Sequence, residues 1–279
     1  MNPDIVYKVC THLTLNEIRN FSNINKEYNN ICEYYIKNNI IVKIEHREEA
    51  IKLANKGYKI KYQELNESIK DVSSLGNVHT LDLSFCTKIK DVSSLGNVHT
   101  LNLSFCTKIK NVSALGNVHT LNLSFCKDIK DVSALGNVTG TVASQRLHTL
   151  DLEGCIGIKD VSALANVHCL YLWRCEGIEN VSSLGNVHIL GLRFCIGIKD
   201  VSDLGNVHTL DLGYCTGVTD VSALGHVHTL DLCGCIGVTD VSALGNVTGT
   251  LDLLYCINLI HTNEELKSLL SNVKRLTLP

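Results

Sequence analysis

From residue 71 onward, apolar and polar positions alternate in a fixed pattern about 20 residues long. The first full unit reads Val78-His79-Thr80-Leu81-Asp82-Leu83-Ser84-Phe85-Cys86-Thr87-Lys88-Ile89-Lys90-Asp91-Val92-Ser93-Ser94-Leu95-Gly96-Asn97, and Leu-x-Leu-x-x-Cys recurs nine times between Leu81 and Cys256. The apolar spacing Val78, Leu81, Leu83, Cys86, Ile89, Val92, Leu95 suits neither a continuous helix nor a long strand, but it suits a closed coil with these side chains inside. Thr80 to Leu83 alternates with period two and predicts a short parallel strand. Thr87 to Asn97 is too short for a helix with its turns. Asp91 is placed to cap a single helical or 3₁₀ turn over Val92–Leu95, and Gly96 to reverse the chain. A lone coil orders about 20 residues at roughly 1–2 kcal/mol each, against roughly 1.5–3 kcal/mol for each buried Leu or Val. Such coils therefore fold only when stacked.

The flanks break the pattern. His119 to His148 spans 29 residues instead of 20, so nine extra residues within 138–147 predict a loop at the entrance to the fourth strand. Thr262-Asn263-Glu264-Glu265 is a capping box before Leu266, Leu269, Leu270 and Val273, predicting a terminal helix and a last strand over Arg275–Leu278, so that residues 261–279 form a C-terminal cap. Residues 1–40 read as three short helices. Pro3 opens the first, with Ile5, Val6, Val9 and Leu13 on one face; Ile18 and Phe21 follow the capping box Thr14–Glu17; Tyr28, Ile31, Cys32 and Tyr35 mark the third. Residues 41–70, with Ile41-Val42-Lys43-Ile44 and a helix over Glu48–Ala54, read as a connector and N-terminal cap.

Composition narrows the function. Hydrophobic residues make up 45% and charged residues 19%, and Lys plus Arg (25) against Asp plus Glu (28) leaves a net charge of −3, so no basic field is available for nucleic acid. No apolar run reaches the roughly 18 residues of a membrane span, and the start lacks a secretory signal, so no membrane association and a cytoplasmic location are expected. Nine of the thirteen cysteines belong to the repeat, which fits reduced thiols rather than disulfides. The matching ladder His79, His99, His119, His148, His168, His188, His208 and His228 points one way in every coil. It does not converge as a metal site must, so no metal, cofactor or catalysis is expected. The Asn ladder (Asn77, Asn97, Asn117 and their equivalents) is expected to satisfy turn backbone groups.

The repeat resembles the leucine-rich repeat family, whose Leu-x-x-Leu-x-Leu-x-x-Asn/Cys-x-Leu motif is met by Val78, Leu81, Leu83, Cys86 and Ile89 across residues 71–260. The resemblance implies an α/β fold, a leucine-rich-repeat solenoid with a parallel sheet on its concave face and a short N-terminal helical segment. The Cys resembles that of ubiquitin-ligase receptors, whereas Asp-Val-Ser-x-Leu-Gly-Asn-Val is closer to internalin-type and phosphatase-regulator repeats. Residues 1–40 resemble an F-box through Pro3-Asp4-Ile5-Val6, Val9, Leu13, Ile18, Phe21-Ser22, Ile24-Asn25-Lys26 and Tyr28, with Asn2 in place of the usual Leu and Tyr28 in place of the common Trp. That implies a Skp1-type adaptor bound through Pro3, Ile5, Val6, Val9, Leu13 and Ile18, and a substrate receptor of an SCF-type ubiquitin ligase. The alternative is a non-catalytic scaffold or regulator of a phosphatase or GTPase whose N-terminal helices only cap the array. Near-identical coils and an Asn-, Ile- and Lys-rich composition would suit a protist or a large DNA virus, in the latter case with residence in the host cytoplasm.

Outward strand positions carry the candidate site. The consensus Thr-Leu-Asp-Leu-Ser-Phe gives way to Cys169-Leu170-Tyr171-Leu172-Trp173-Arg174 and Ile189-Leu190-Gly191-Leu192-Arg193-Phe194. Aromatic residues and arginine dominate interface hot spots. A protein partner is therefore expected on the concave face around Tyr171, Trp173, Arg174, Arg193, Phe194 and Tyr214, with the inserted loop near Arg146 at its edge. Phe85, Phe105 and Phe125, by contrast, are equally suited to stacking on one another.

Overall fold

The computed structural model describes residues 17, 18, 20, 26–136 and 147–279. Twelve parallel strands follow one another in chain order in a single sheet. Nine of them are the Leu-x-Leu segments of the repeats: β3 (Thr80–Asp82), β4 (Thr100–Asn102), β5 (Thr120–Asn122), β6 (Thr149–Asp151), β7 (Cys169–Tyr171), β8 (Ile189–Gly191), β9 (Thr209–Asp211), β10 (Thr229–Asp231) and β11 (Thr250–Asp252). Register is constant, Leu81 pairing with Leu101 and Leu101 with Leu121. It survives the long repeat, where Leu121 pairs with Leu150, so the nine extra residues leave the ladder intact. The sheet is longer than the repeat motif indicates. β1 (Ile41–Ile44) and β2 (Lys59–Gln63), joined by α1 (Arg47–Asn55), enter it ahead of β3, and β12 (Arg275–Thr277) closes it.

Behind each strand the chain makes a 3₁₀ turn, such as Ser93–Leu95 or Ser162–Asn166. Asp91 Oδ1 accepts a hydrogen bond from the Ser93 backbone N–H at 2.9 Å, and the same contact recurs from Asp71 to Asp240. This is the work expected of the Asn ladder, which does not perform it: Asn97, Asn117, Asn166, Asn186, Asn206 and Asn246 are exposed, and Asn77 bonds to the Asn55 side chain. Gly96 also differs from expectation. Its φ of −62° is right-handed, so it supplies no left-handed reversal. What it supplies is clearance, because a β-carbon there would strike the Ala114 carbonyl of the next coil.

The inward side chains form one continuous core, with Leu81, Leu83, Cys86, Ile89, Val92 and Leu95 at most 1% exposed. The cysteines do more than fill space. Cys106 Sγ lies 3.2 Å from the Leu83 carbonyl of the preceding coil, and each later ladder cysteine repeats the contact at 3.0–3.2 Å. A serine hydroxyl would accept the same geometry but remove apolar volume, so the thiol serves as both small hydrophobe and weak donor. Among the described residues no cysteine forms a disulfide.

At the N-terminal end, Glu17, Ile18 and Asn20 are helical and α2 spans Lys26–Asn39. Ile18, Cys32 and Ile36 are buried in the same core as the repeats, and α2 is tied to the start of the sheet by Tyr58 Oη donating to Glu33 and Lys59 Nζ to the Asn38 carbonyl. At the other end the expected capping box forms: Thr262 Oγ1 accepts from the Glu265 N–H and the Glu265 carboxylate from the Thr262 N–H, opening α3 (Asn263–Leu269).

Candidate functional site

In most coils the outward strand residue is Asp or Asn, and its position is structural. Asp82, Asn102, Asn122, Asp151, Asp211, Asp231 and Asp252 each accept, at 2.8–3.0 Å, the backbone N–H two residues on, closing the turn that leads to the cysteine. The next turn residue is left-handed in every coil. Phe85, Phe105, Phe125, Arg174, Phe194, Tyr214 and Tyr255 have φ of 59–63°, and Gly154 and Gly234 take the same place. Side chains with a β-carbon are strained there by roughly 1–2 kcal/mol. The next coil holds the strain in place: Phe85 N–H donates to the Ser104 carbonyl, Arg174 N–H to the Arg193 carbonyl. Projected from one edge, the aromatic rings stack, Phe85 on Phe105 at 4.6 Å and Phe105 on Phe125 at 4.7 Å.

β7 and β8 give up the turn-closing acid. Tyr171 and Gly191 occupy its position and neither can accept the bond. Tyr171 instead meets Trp173 edge-on, ring centroids 5.6 Å apart. The indole lies over Gly191, where an added β-carbon would fall 3.1 Å from both Trp173 Cδ1 and Tyr171 Cδ1 and closer still to Trp173 Nε1. That Nε1 is buried, and among the described residues it has no hydrogen-bond partner. Arg193 runs the same way along the face: a β-carbon at Gly213 would come within 2.7 Å of its Cζ. Its Nε bonds Asp211 Oδ2 at 3.1 Å and its Nη2 pairs with Asp231. Burial, with Asp211 beside it, pushes the Asp231 carboxyl up from its ordinary range in spite of that pairing.

The structure therefore brings together Tyr171, Trp173, Arg174, Arg193, Phe194 and Tyr214, but it gives them unequal freedom. Arg174 is exposed, with its guanidinium 5.3 Å over the Phe194 ring. Phe194 and Tyr214 stack at 4.7 Å and continue the edge ladder. Arg193, expected as a contact residue, has its charge engaged by two aspartates of its own sheet, so it orders the face rather than offering a free cation. Ile18 is fully buried in the common core. Pro3, Ile5, Val6, Val9, Leu13 and the Arg146 loop lie outside the described residues. Sequence reasoning missed Gly191, Gly213, Asp211 and Asp231. The signal for the glycines was present as breaks in otherwise regular outward rows.

No described helix is long and apolar enough to cross a membrane, and among the described residues no three His, Cys, Asp or Glu side chains converge as a metal site. The His rings stack along the other edge of the sheet, centroids 4.6–5.1 Å apart from His79 to His228.

Solved structures with this architecture include an internalin, InlF, from Listeria monocytogenes (TM-score 0.50, 20% identity, 86% of this chain and 79% of that one covered). Internalin C2 from the same organism (TM-score 0.46, 22% identity, 67% and 83% covered) and a leucine-rich repeat protein from Leptospira interrogans (0.37, 15%, 85% and 82%) are also similar. No protein-family model matches the sequence, and no curated protein does either. The fold is a leucine-rich-repeat solenoid with 3₁₀ turns on its back and helices at its N-terminal end.

Proposed function

We propose that this chain is a non-catalytic protein-interaction module that binds a protein partner on the outer face of β7 and β8, around Tyr171, Trp173 and Arg174. The observation that carries this reading is the loss of the turn-closing acid at Tyr171 and Gly191. The neighbouring coils keep that bond, and a sheet under folding constraint alone has no reason to exchange it for an aromatic pair with an unpartnered indole N–H. Partner contact would bury the remaining face of the pair, the kind of anchor that hot spots use. Trp173→Ala is expected to weaken capture of the partner by about 2 kcal/mol or more with the thermal midpoint little changed; undiminished capture would place the site elsewhere.

The finer reading is a cytoplasmic substrate receptor, in which the F-box-like start holds a Skp1-type adaptor while this face holds the protein to be modified. The full chain should then co-purify with the adaptor, and the Pro3→Ala, Ile5→Asp double variant should not. Burial of Ile18, Cys32 and Ile36 in the common core favours a second reading, a scaffold whose N-terminal helices cap the array. Under that reading no adaptor is retained, and the double variant loses stability instead.

A further inference from the structure

The eight imidazoles of the His ladder form an unbroken column along one edge of the sheet. Ring centroids are 4.6–5.1 Å apart, and six of the seven successive pairs lie within 25° of parallel. The seventh, His148 with His168, is tilted by 40°. The backbone holds the spacing, since the N–H of His99 donates to the His79 carbonyl and that of His119 to the His99 carbonyl. In six coils Nδ1 lies 3.1–3.3 Å from the hydroxyl of the following threonine. The column ends where Gly249 lies against His228, so close that a β-carbon would fall 2.7 Å from its Nδ1. Among the described residues, no ladder ring is ion-paired with a carboxylate. Among the described residues, the charged groups acting on His79, His119, His168 and His208 are Lys59 of β2, beside His79, and the neighbouring rings.

We propose that this column is an acid-sensitive device: the solenoid is held together with its stacked imidazoles neutral, and acidification loosens it because each proton taken up by one ring is opposed by the rings above and below. Neutral imidazoles stack at this distance at no electrostatic cost, whereas imidazolium rings one strand spacing apart repel with no carboxylate to compensate. Burial, reinforced by His99 and then Lys59, lowers His79 to about 4 from an ordinary 6.5, and burial with neighbouring rings lowers His119, His168 and His208 in the same direction. The unfolded chain therefore binds more protons than the folded one below pH 6.5. Stability is full above that value and falls as the pH drops toward 4. Two sets of carboxylates act differently. The turn aspartates such as Asp91 are lowered by the Ser93 N–H and contribute their loss only below their ordinary 3.8, while Asp151, Glu153 and Asp231 are raised by burial and act in the opposite sense.

The test is denaturant unfolding of the full chain at pH 7.5, 6.5, 5.5 and 4.8, beside the His119→Gln, His168→Gln, His208→Gln triple variant. Glutamine can stack as a ladder but does not titrate. The native midpoint should fall steadily below pH 6.5, by up to about tenfold in the unfolding constant per pH unit for each uncompensated ring, and the variant should show a shallower fall. An equal slope in a folded variant overturns the proposal. Should the variant not fold, the native chain still decides. In a proton NMR titration His79, His119, His168 and His208 should titrate below the ordinary 6.5 of a free imidazole, and these four titrating at or above that value would overturn it.

Discussion

At the scale of single residues, the same side chain type does different work according to where the coil puts it. Gly57 has a φ of +84° with open space around it, so its value is conformational. Gly213 has no left-handed backbone, and what a β-carbon there would meet is the Arg193 guanidinium that crosses it. Gly213→Ala is expected to displace Arg193 from Asp211 and Asp231, costing about 1–3 kcal/mol by overpacking, and Arg193→Ala should cost less in a Gly213→Ala background than in the native chain; a double-mutant cycle with no coupling would dissociate the two. Leu172, with no exposed surface, is an ordinary core position by comparison. Leu172→Ala should lower unfolding free energy by about 2–5 kcal/mol, whereas Lys108→Ala on the exposed back should move it by less than about 0.5.

At the scale of the element, each coil is a strand, a left-handed turn and a 3₁₀ turn, and the left-handed residue is the point of tension. Phe105 occupies it at a φ of 62° and recovers part of the strain by stacking on both Phe85 and Phe125. Stacked pairs contribute about 0.5–1.5 kcal/mol each beyond their area, comparable with the strain. Removing the ring should therefore destabilise, but by an amount that depends on the replacement. Phe105→Gly relieves the backbone while Phe105→Ala keeps the strain, so the glycine variant should be the more stable by about 1 kcal/mol, the reverse of the usual Ala-over-Gly order. Equal midpoints in chemical unfolding would show that the turn is unstrained.

For the whole molecule, the two ladders give the array opposite pH limits. Burial pushes the Cys86 thiol up to about 11 and Cys155 and Cys195 up to about 12, from an ordinary 9.0. A thiol raised in the folded state contributes stability that is complete below pH 9 and lost as pH climbs toward 11 or 12, because the unfolded chain ionises first. Reversible unfolding followed from pH 7.5 to 10 should show a falling midpoint, and Cys175→Ala, though less stable throughout, should show a shallower alkaline slope; a parallel slope would remove the thiols as the cause. The ends of the molecule matter in the same way, since a stack exposes its core at both faces. Ile18, Cys32 and Ile36 join the core at one end and Leu266 and Leu270 at the other.

The amino-acid sequence by itself determined the period, the inward Leu, Val, Ile and Cys positions, the short strand and a single helical or 3₁₀ turn, because each follows from local spacing and side-chain chemistry repeated nine times, and it placed the capping box at Thr262. It also marked β7 and β8 as different. Only the tertiary structure decided what that difference amounts to. That Arg193 is engaged by its neighbours, that Trp173 lies over Gly191 with its N–H unpartnered, and that β1 and β2 extend the sheet all depend on contacts between coils 18 to 38 positions apart or on strands outside the motif. Such contacts are invisible in any one coil, since a solenoid places equivalent residues side by side without recording in the local sequence which of them will touch.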